Sequence, residues 1–305
     1  MTDQRLVSVI IPMFNAEMFI KETIASVNAQ TYSNVEIVVV DDGSTDDSYG
    51  LVEQAALESR FPITLLTQVN SGVSASRNRG VAVSKGDSIA FLDADDLWAP
   101  TKLADQVAAL SMNPRGAGVL CGYTQFESTT NRVVSEVVPS GAVQFIRDWL
   151  SLRGPGPLLP STLLMDRRMW DEINGFDERL STAADADFGF RLVKKGSLLI
   201  IPAPLVHYRL SEGQMHRNPM TLARDYEVIL RAPYMKSDKR LRAETRTNLR
   251  LHISLKNWQS NPTLTSFFRL STVCLLHPLR ATGRALQSLR DRKREFDLET
   301  SETIV

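Results

Sequence analysis

Four short apolar runs, each separated from the next by a helix-patterned segment, restrict this chain more than any other feature. Residues 6–11, 35–40, 63–67 and 88–92 are rich in Val, Ile and Leu and too short for buried helices. The intervening segments 16–29, 48–59 and 74–84 carry helical spacing; in the first, Phe19, Ile20, Ile24 and Val27 fall on one face. This βαβαβαβ order predicts an α/β fold with a doubly wound, mostly parallel sheet flanked by helices. In such sheets, ligands bind beyond the carboxyl ends of the strands. Polar clusters at 12–15, 41–44 and 93–96 stand at those ends, so they are expected to share one site.

Past residue 100 the pattern is less regular. It predicts a helix over 102–110, strands over 118–126 and 161–165, and a short helix over 167–173 ended by Asn174 and Gly175. A helix over 186–195 stops at Gly196, and a strand over 198–201 is ended by Pro202 and Pro204. The breakers in 153–160 predict a loop. After Pro219 the pattern is helical and basic.

Net charge is formally zero, which gives no overall reason to expect nucleic-acid binding. The balance is uneven, however. Residues 224–294 hold 16 Lys or Arg against 5 Asp or Glu, a surplus of 11, so the rest of the chain carries the matching acidic excess. The two cysteines, Cys121 and Cys274, lie far apart in apolar surroundings, with neither disulfide nor zinc spacing. The N-terminus shows no leader pattern, and no run approaches the roughly 18 apolar residues of a membrane span. A cytoplasmic location is the expectation.

Asp93 and Asp95 form a D-x-D pair just past the fourth strand. Two carboxylates at a fixed strand end suit a hard divalent cation such as Mn²⁺ or Mg²⁺, which takes oxygen ligands and shares them with substrate phosphates. Alone, such a common pair is more often a helix cap or an acidic turn; its strand-end setting and the other motifs favour the site. Asp41, Asp42, Gly43 and Ser44 end the second strand. A carboxylate there can accept the imide N–H of a pyrimidine base, and Gly43 permits positive φ or close approach. A turn leading into a capped helix, with Asp46 or Asp47 as the cap, fits equally. Arg77 has the fork geometry of a diphosphate ligand, and an ion pair with an aspartate of the same site fits as well.

The runs VSVIIPMFN (7–15), VVVDDGSTD (38–46), GVSASRNRG (72–80) and FLDADD (91–96) together resemble glycosyltransferase family 2, over about residues 6–210. The resemblance implies a GT-A fold, an inverting mechanism and a nucleotide-sugar donor, usually UDP- or dTDP-linked. It places Pro12, Asn15, Asp41 and Gly43 in the nucleotide pocket and Arg77 near the donor, with Asn78 and Gly80 supporting that wall. Asp93, Ala94 and Asp95 face the diphosphate, with Asp93 and Asp95 as metal ligands. It divides the chain into a catalytic domain, 1–218, and a basic helical C-terminal extension, 219–305. Within the former, 1–100 is the nucleotide-sugar half and 101–218 the acceptor half.

On the acceptor side, GFDE (175–178) and ADADFGFRL (184–192) resemble the family's acceptor motif. Asp185 matches its catalytic base, which would take the acceptor hydroxyl proton; Asp187 is the rival. Asp185 is also expected to cap the following helix. Two positions depart from the family pattern: Ala184 stands where relatives often carry Glu, and Ser211 where many carry a lid His that contacts metal or diphosphate. His207 and His216 are the nearby substitutes. The Gln-x-x-Arg-Trp pattern of processive members is missing, which implies single-sugar addition, in cell-surface polysaccharide or glycolipid assembly. Carbohydrate or lipid-linked acceptors are the implied partners. The basic stretch 267–294 fits either peripheral contact with an anionic membrane face or ordinary packed helices with a solvated face. The altered Ala184 and Ser211 leave a second reading, a nucleotide-sugar-binding protein with little or no transferase activity.

Overall fold

The computed structural model describes residues 5–113, 115–153, 159–210 and 219–260. The first third alternates strand and helix: β1 (Val7–Met13), α1 (Ile20–Asn28), β2 (Val35–Asp41), α2 (Ser48–Glu58), β3 (Ile63–Thr67), α3 (Val73–Val83) and β4 (Ser88–Phe91). Next come β5 (Leu97–Trp98), α4 (Lys102–Ser111), β6 (Gly118–Glu127), β7 (Val133–Val137) and α5 (Ala142–Leu150). They are followed by α6 (Leu159–Thr162), β8 (Leu163–Asp166), α7 (Arg167–Ile173), α8 (Ala184–Lys195), β9 (Leu198–Leu210) and α9 (Pro219–Ile229). Last come α10 (Pro233–Ser237) and α11 (Lys239–Ser260).

The strands join in one sheet ordered β3-β2-β1-β4-β8-β6-β9-β5, with β7 paired to β6. From β3 to β4 every pairing is parallel, and Met13 lies level with Asp41, so the carboxyl ends of β1 and β2 finish together. Every residue of β1 is buried, as a strand covered on both faces requires. Pro12 is tolerated there because of where its missing N–H would point. Alternate residues of a parallel strand bond to opposite neighbours: Ile10 O accepts Leu92 N–H, while Met13 O accepts Asp42 N–H. The nitrogen of Pro12 therefore faces the β4 side, beyond the last paired residue of that strand.

Direction changes at β8, which runs antiparallel to both β4 and β6; β6 and β9 are again parallel. The segment expected as a strand over 161–165 is split between α6 and β8. The strand expected to stop at Pro202 instead continues through Pro202 and Pro204 to Leu210. The pairing with β6 slips register at Cys121/Gly122 and Gly122/Tyr123, opposite those prolines. The slips pass over Pro202, Ala203 and Leu205 on β9, and Pro204 lies level with Gly122, so the ladder resumes beyond the prolines. As a result β9 extends to the site instead of ending short of it.

The chain divides into two compact units, residues 1–150 with 155–225, and residues 151–154 with 226–305. The first holds the sheet. In the second, Tyr226, Ile229, Met235 and Leu241 are buried, and Asn248 Nδ2 donates to Ser151 O at 2.7 Å. On α11, Lys239, Arg246 and Arg250 are exposed. Among the described residues no helix is long and apolar enough to cross a membrane. The expected features beyond residue 260, Cys274 and the basic stretch 267–294 included, lie outside the described residues.

Candidate active site

At the ends of β1 and β2 the two loops brace each other. Asn15, in the left-handed region at φ 48°, donates its backbone N–H to Ser44 Oγ at 3.0 Å, and its Oδ1 accepts Thr45 N–H at 2.8 Å. Asp41 Oδ1 accepts Ser44 N–H at 3.0 Å, so this carboxylate does close a turn. Gly43 has φ +79°, and a Cβ there would sit 3.1 Å from Asn70 N and 3.2 Å from Gln68 O. Asp42 is buried and ties a different loop: it accepts Gln68 Nε2 and the N–H groups of Ser71 and Gly72 at 2.7–2.8 Å. Asp46, not Asp47, makes the side-chain contacts at the start of α2. It accepts the N–H of Ser48 and of Glu17 at 3.1 Å.

The D-x-D segment is a tight turn in which Asp96 N–H returns to Asp93 O at 3.1 Å. Thr23 Oγ of α1 shares its proton between Ala94 O at 2.9 Å and Asp96 O at 3.1 Å. Ser161 Oγ accepts Asp93 N–H at 3.3 Å and donates to Asp96 Oδ2 at 2.8 Å. Asp96 is wholly buried, and burial, then the charges of Asp95 and Asp93, push its carboxyl well above the usual range. Sequence reasoning gave Asp96, Thr23 and Ser161 no role of their own. Serine and threonine carry no signal until the fold shows which backbone groups they meet.

Among the described residues no group of three or more His, Cys, Asp or Glu could by itself hold a metal ion. The donor set here is two carboxylates, Asp93 and Asp95, at one turn. That fits Mg²⁺ or Mn²⁺ shared with a diphosphate, since such ions draw much of their coordination from phosphate oxygens and water. It does not fit a self-contained protein cage.

Arg77 joins this turn to α8. It projects from α3 and is 3% exposed, with Nη2 on Asp93 Oδ1 and Nη1 on Asp185 Oδ1, both at 2.7 Å. The guanidinium lies over the Phe176 ring, 5.0 Å from its centroid. Burial by itself would lower the Arg77 pKa, but Asp185 and Asp93 more than offset it and the net shift is upward. Asp185 is shifted above the usual carboxylate range, chiefly by burial and against the pull of Arg77. α3 can lie this close because Gly80 has no side chain; a Cβ there would come within 2.4 Å of Ile10 Cγ2. Asn78 binds both Phe176 N–H and Phe176 O, at 2.9 and 3.0 Å, and so fixes the loop that carries the Phe176 ring.

The helix carrying Asp185 begins two residues earlier than expected. Ala183 is at its N-cap, and Asp185 lies in the first turn instead of capping it. Buried Asp225 braces the chain just before the helix: its Oδ2 accepts Ser181 N–H and Ala183 N–H at 3.0 and 2.8 Å. Asp187 points elsewhere and pairs with Arg191 at 2.7 Å. Ala184 is fully buried, so a Glu at this position would carry an ionised carboxylate into the core. His207, half-buried on β9, is bonded through Nδ1 to Thr124 Oγ1 at 2.8 Å, and burial lowers its pKa. Ser211 and His216 lie outside the described residues. Arg209 of β9 also reaches the D-x-D turn, its Nε donating to Asp95 O at 2.9 Å.

Comparison with known proteins agrees with this architecture. Residues 8–174 match the family described as glycosyl transferase family 2. An uncharacterized glycosyltransferase of Rickettsia typhi is 30% identical over 230 residues, covering 73% of this chain and 70% of that one. A longer relative from Rickettsia conorii, 29% identical, is spanned over only 35% of its length. The crystal structure of S. aureus TarS 1–349 in complex with UDP-GlcNAc superimposes with a TM-score of 0.60 at 18% identity, covering 92% of this chain and 82% of that one. The mannosyltransferase PcManGT from Pyrobaculum calidifontis, in complex with GDP-Man and Mn²⁺, gives 0.59 at 18% identity, covering 93% and 85%. With its GT-A fold and a family match over more than half its length, the chain is a glycosyltransferase and belongs to glycosyl transferase family 2.

Proposed function

We propose that this glycosyltransferase is inverting, metal-dependent and non-processive, and moves a sugar from a UDP- or dTDP-linked donor to a hydroxyl of a carbohydrate or lipid-linked acceptor. The observation that carries the reading is the Asp93–Arg77–Asp185 bridge. One guanidinium spans a carboxylate of the donor turn and a carboxylate of the acceptor-side helix, so the two chemical roles sit within one side chain's reach.

Asp41 would accept the imide N–H of the base, with Pro12, Asn15 and Gly43 shaping the pocket around it. Asp93 and Asp95 would hold Mn²⁺ or Mg²⁺; Ala94 between them is buried in the hydrophobic core, so its side chain anchors the turn and any contact it makes to the diphosphate would come from its backbone. The cation, when bound, supplies charge neutralisation for the departing diphosphate. Asp185 would take the acceptor hydroxyl proton as that oxygen bonds to the anomeric carbon. The bond to the diphosphate oxygen breaks and its electron pair leaves with the nucleotide. Arg77 would hold Asp185 oriented and ionised beforehand, since opposite charge favours the carboxylate. The missing processivity motif supports addition of one sugar. A role in cell-surface polysaccharide or glycolipid assembly, at the inner face of the membrane, fits the basic C-terminal region.

The test is donor turnover. UDP-, dTDP- and GDP-sugars are incubated with the protein and Mn²⁺ or Mg²⁺; nucleotide release is followed, and the product's anomeric configuration is read by NMR. The GDP arm matters because guanine also offers an imide N–H, and PcManGT is seen with GDP-Man. Expected are release with a uracil or thymine nucleotide, loss of activity with chelator, and inverted configuration. No nucleotide binding at millimolar concentration, or a retained configuration, would sink the reading.

A further inference from the structure

We propose that Arg209 is a positioning residue for the metal-binding pair, holding the backbone of Asp95 so that its side chain leaves the turn in a fixed direction. The proposal rests on the metal-dependent reading above and deepens it. Arg209 is 4% exposed. Its Nε donates to Asp95 O at 2.9 Å, its Nη2 meets Glu22 Oε2 at 2.6 Å, and its backbone N–H reaches Asp96 Oδ1 at 3.3 Å. The rings of Phe19 and Phe126 each lie 4.8 Å from its Cζ. With Thr23 bonded to the carbonyls of Ala94 and Asp96, all three consecutive carbonyls of the turn are taken by side chains. The peptide planes on both sides of Asp95 are therefore held, which fixes the direction of its Cα–Cβ bond. A lysine could not reproduce this, because a planar fork makes two directed bonds while its faces lie against rings.

Holding a metal ligand from behind sharpens the ion's binding, and loss of such support typically weakens metal affinity by about 10- to 100-fold. A purely structural role, pinning β9 against α1, would lower stability and leave metal affinity untouched. Purified full-length protein is titrated with Mn²⁺, alone and with UDP, with the free ion followed by EPR, for wild type, Arg209→Gln, Arg209→Lys and Glu22→Gln. Metal-free UDP affinity and melting temperature are recorded for each. Expected are Mn²⁺ binding about 10- to 100-fold weaker in Arg209→Gln, a smaller loss in Arg209→Lys and Glu22→Gln, and metal-free UDP affinity at the wild-type value. Turnover should recover at saturating Mn²⁺. If Arg209→Gln does not fold, Glu22→Gln decides, since the Glu22 side chain is 63% exposed and its replacement spares the core. Folded variants with wild-type Mn²⁺ affinity would overturn the positioning role alone. A wild type that binds no Mn²⁺, with or without UDP, would overturn the metal-dependent reading along with it.

Discussion

The carboxyl ends of β1 and β2 and the surroundings of α8 are built from different bonds. At the ends of β1 and β2, braces run from side-chain oxygens to backbone N–H groups of the next loop. Asn15 reaches Thr45, Asp41 reaches Ser44, and Asp42 reaches Ser71 and Gly72. Around α8, ion pairs carry more of the bonding: Arg77 reaches Asp185 across 108 positions and Arg191 pairs with Asp187 one turn away, while Asp225 accepts two backbone N–H groups just before the helix. A cradle of backbone donors tolerates little change in shape, because each carboxylate lost strands several N–H groups. A network of ion pairs is set one side chain at a time. The departure at Ala184 lies in α8, on the ion-paired side of this contrast.

The sharpest way to break this comparison is at the turn where the two halves meet. Asp95→Asn should cut transfer at least about a thousandfold, the several kcal/mol of charge stabilisation a metal site supplies. Steady-state rates at saturating donor would show it. Asp185→Asn should lower kcat by about 10²- to 10⁴-fold, the usual worth of a general base, while nucleotide affinity measured by calorimetry stays at wild type. Asp187→Asn should leave kcat near wild type. If Asp187 gave the larger loss, the two roles would be exchanged.

Arg77→Met tests whether the halves are tied through one residue. It leaves Asp93 and Asp185 facing each other without their shared cation, and should cost roughly 3 kcal/mol in denaturant unfolding. An unchanged midpoint would mean that the bridge contributes nothing to stability. The smallest effect lies beneath the sheet. Lys102 is fully buried, bonded to Gln106 Oε1 and placed over the Trp98 ring, and burial lowers its pKa from 10.5 to about 8. Between pH 8 and 9 the unfolded chain keeps this proton and the folded chain releases it, so stability should rise with pH, by about 1 kcal/mol over the unit. Above pH 9 the Cys121 thiol, raised from 9.0 to about 11, opposes the trend. Lys102→Met should flatten the rise between pH 8 and 9; the melting temperature at the two values is the measurement.

Much of the nucleotide end was legible in the sequence because its information is local. A strand that must be buried on both faces reads as a run of Val and Ile, and the carboxylate that follows it is placed by chain direction. The motifs named Asp41, Asp93 and Asp95 without any knowledge of their neighbours. The same reading stops the last strand at Pro202, because a proline's lost donor is visible in sequence while the register slips of β9 against β6 are not. It also left Arg209 without a role and Arg77 with two. The choice between diphosphate and carboxylate partners depends on which groups the fold carries to the guanidinium.

The sequence by itself determined the βα alternation, the parallel direction of the first four strands and the strand-end carboxylates, since periodicity and chain direction act over a few residues. Only the tertiary structure decided who meets whom. Arg77 finds one partner 16 positions away and the other 108 away, and Arg209 crosses 114 positions to hold the carbonyl of Asp95. Such pairings come from packing one face of the sheet against its helices, and a buried charge takes whichever partner that packing leaves within hydrogen-bond reach.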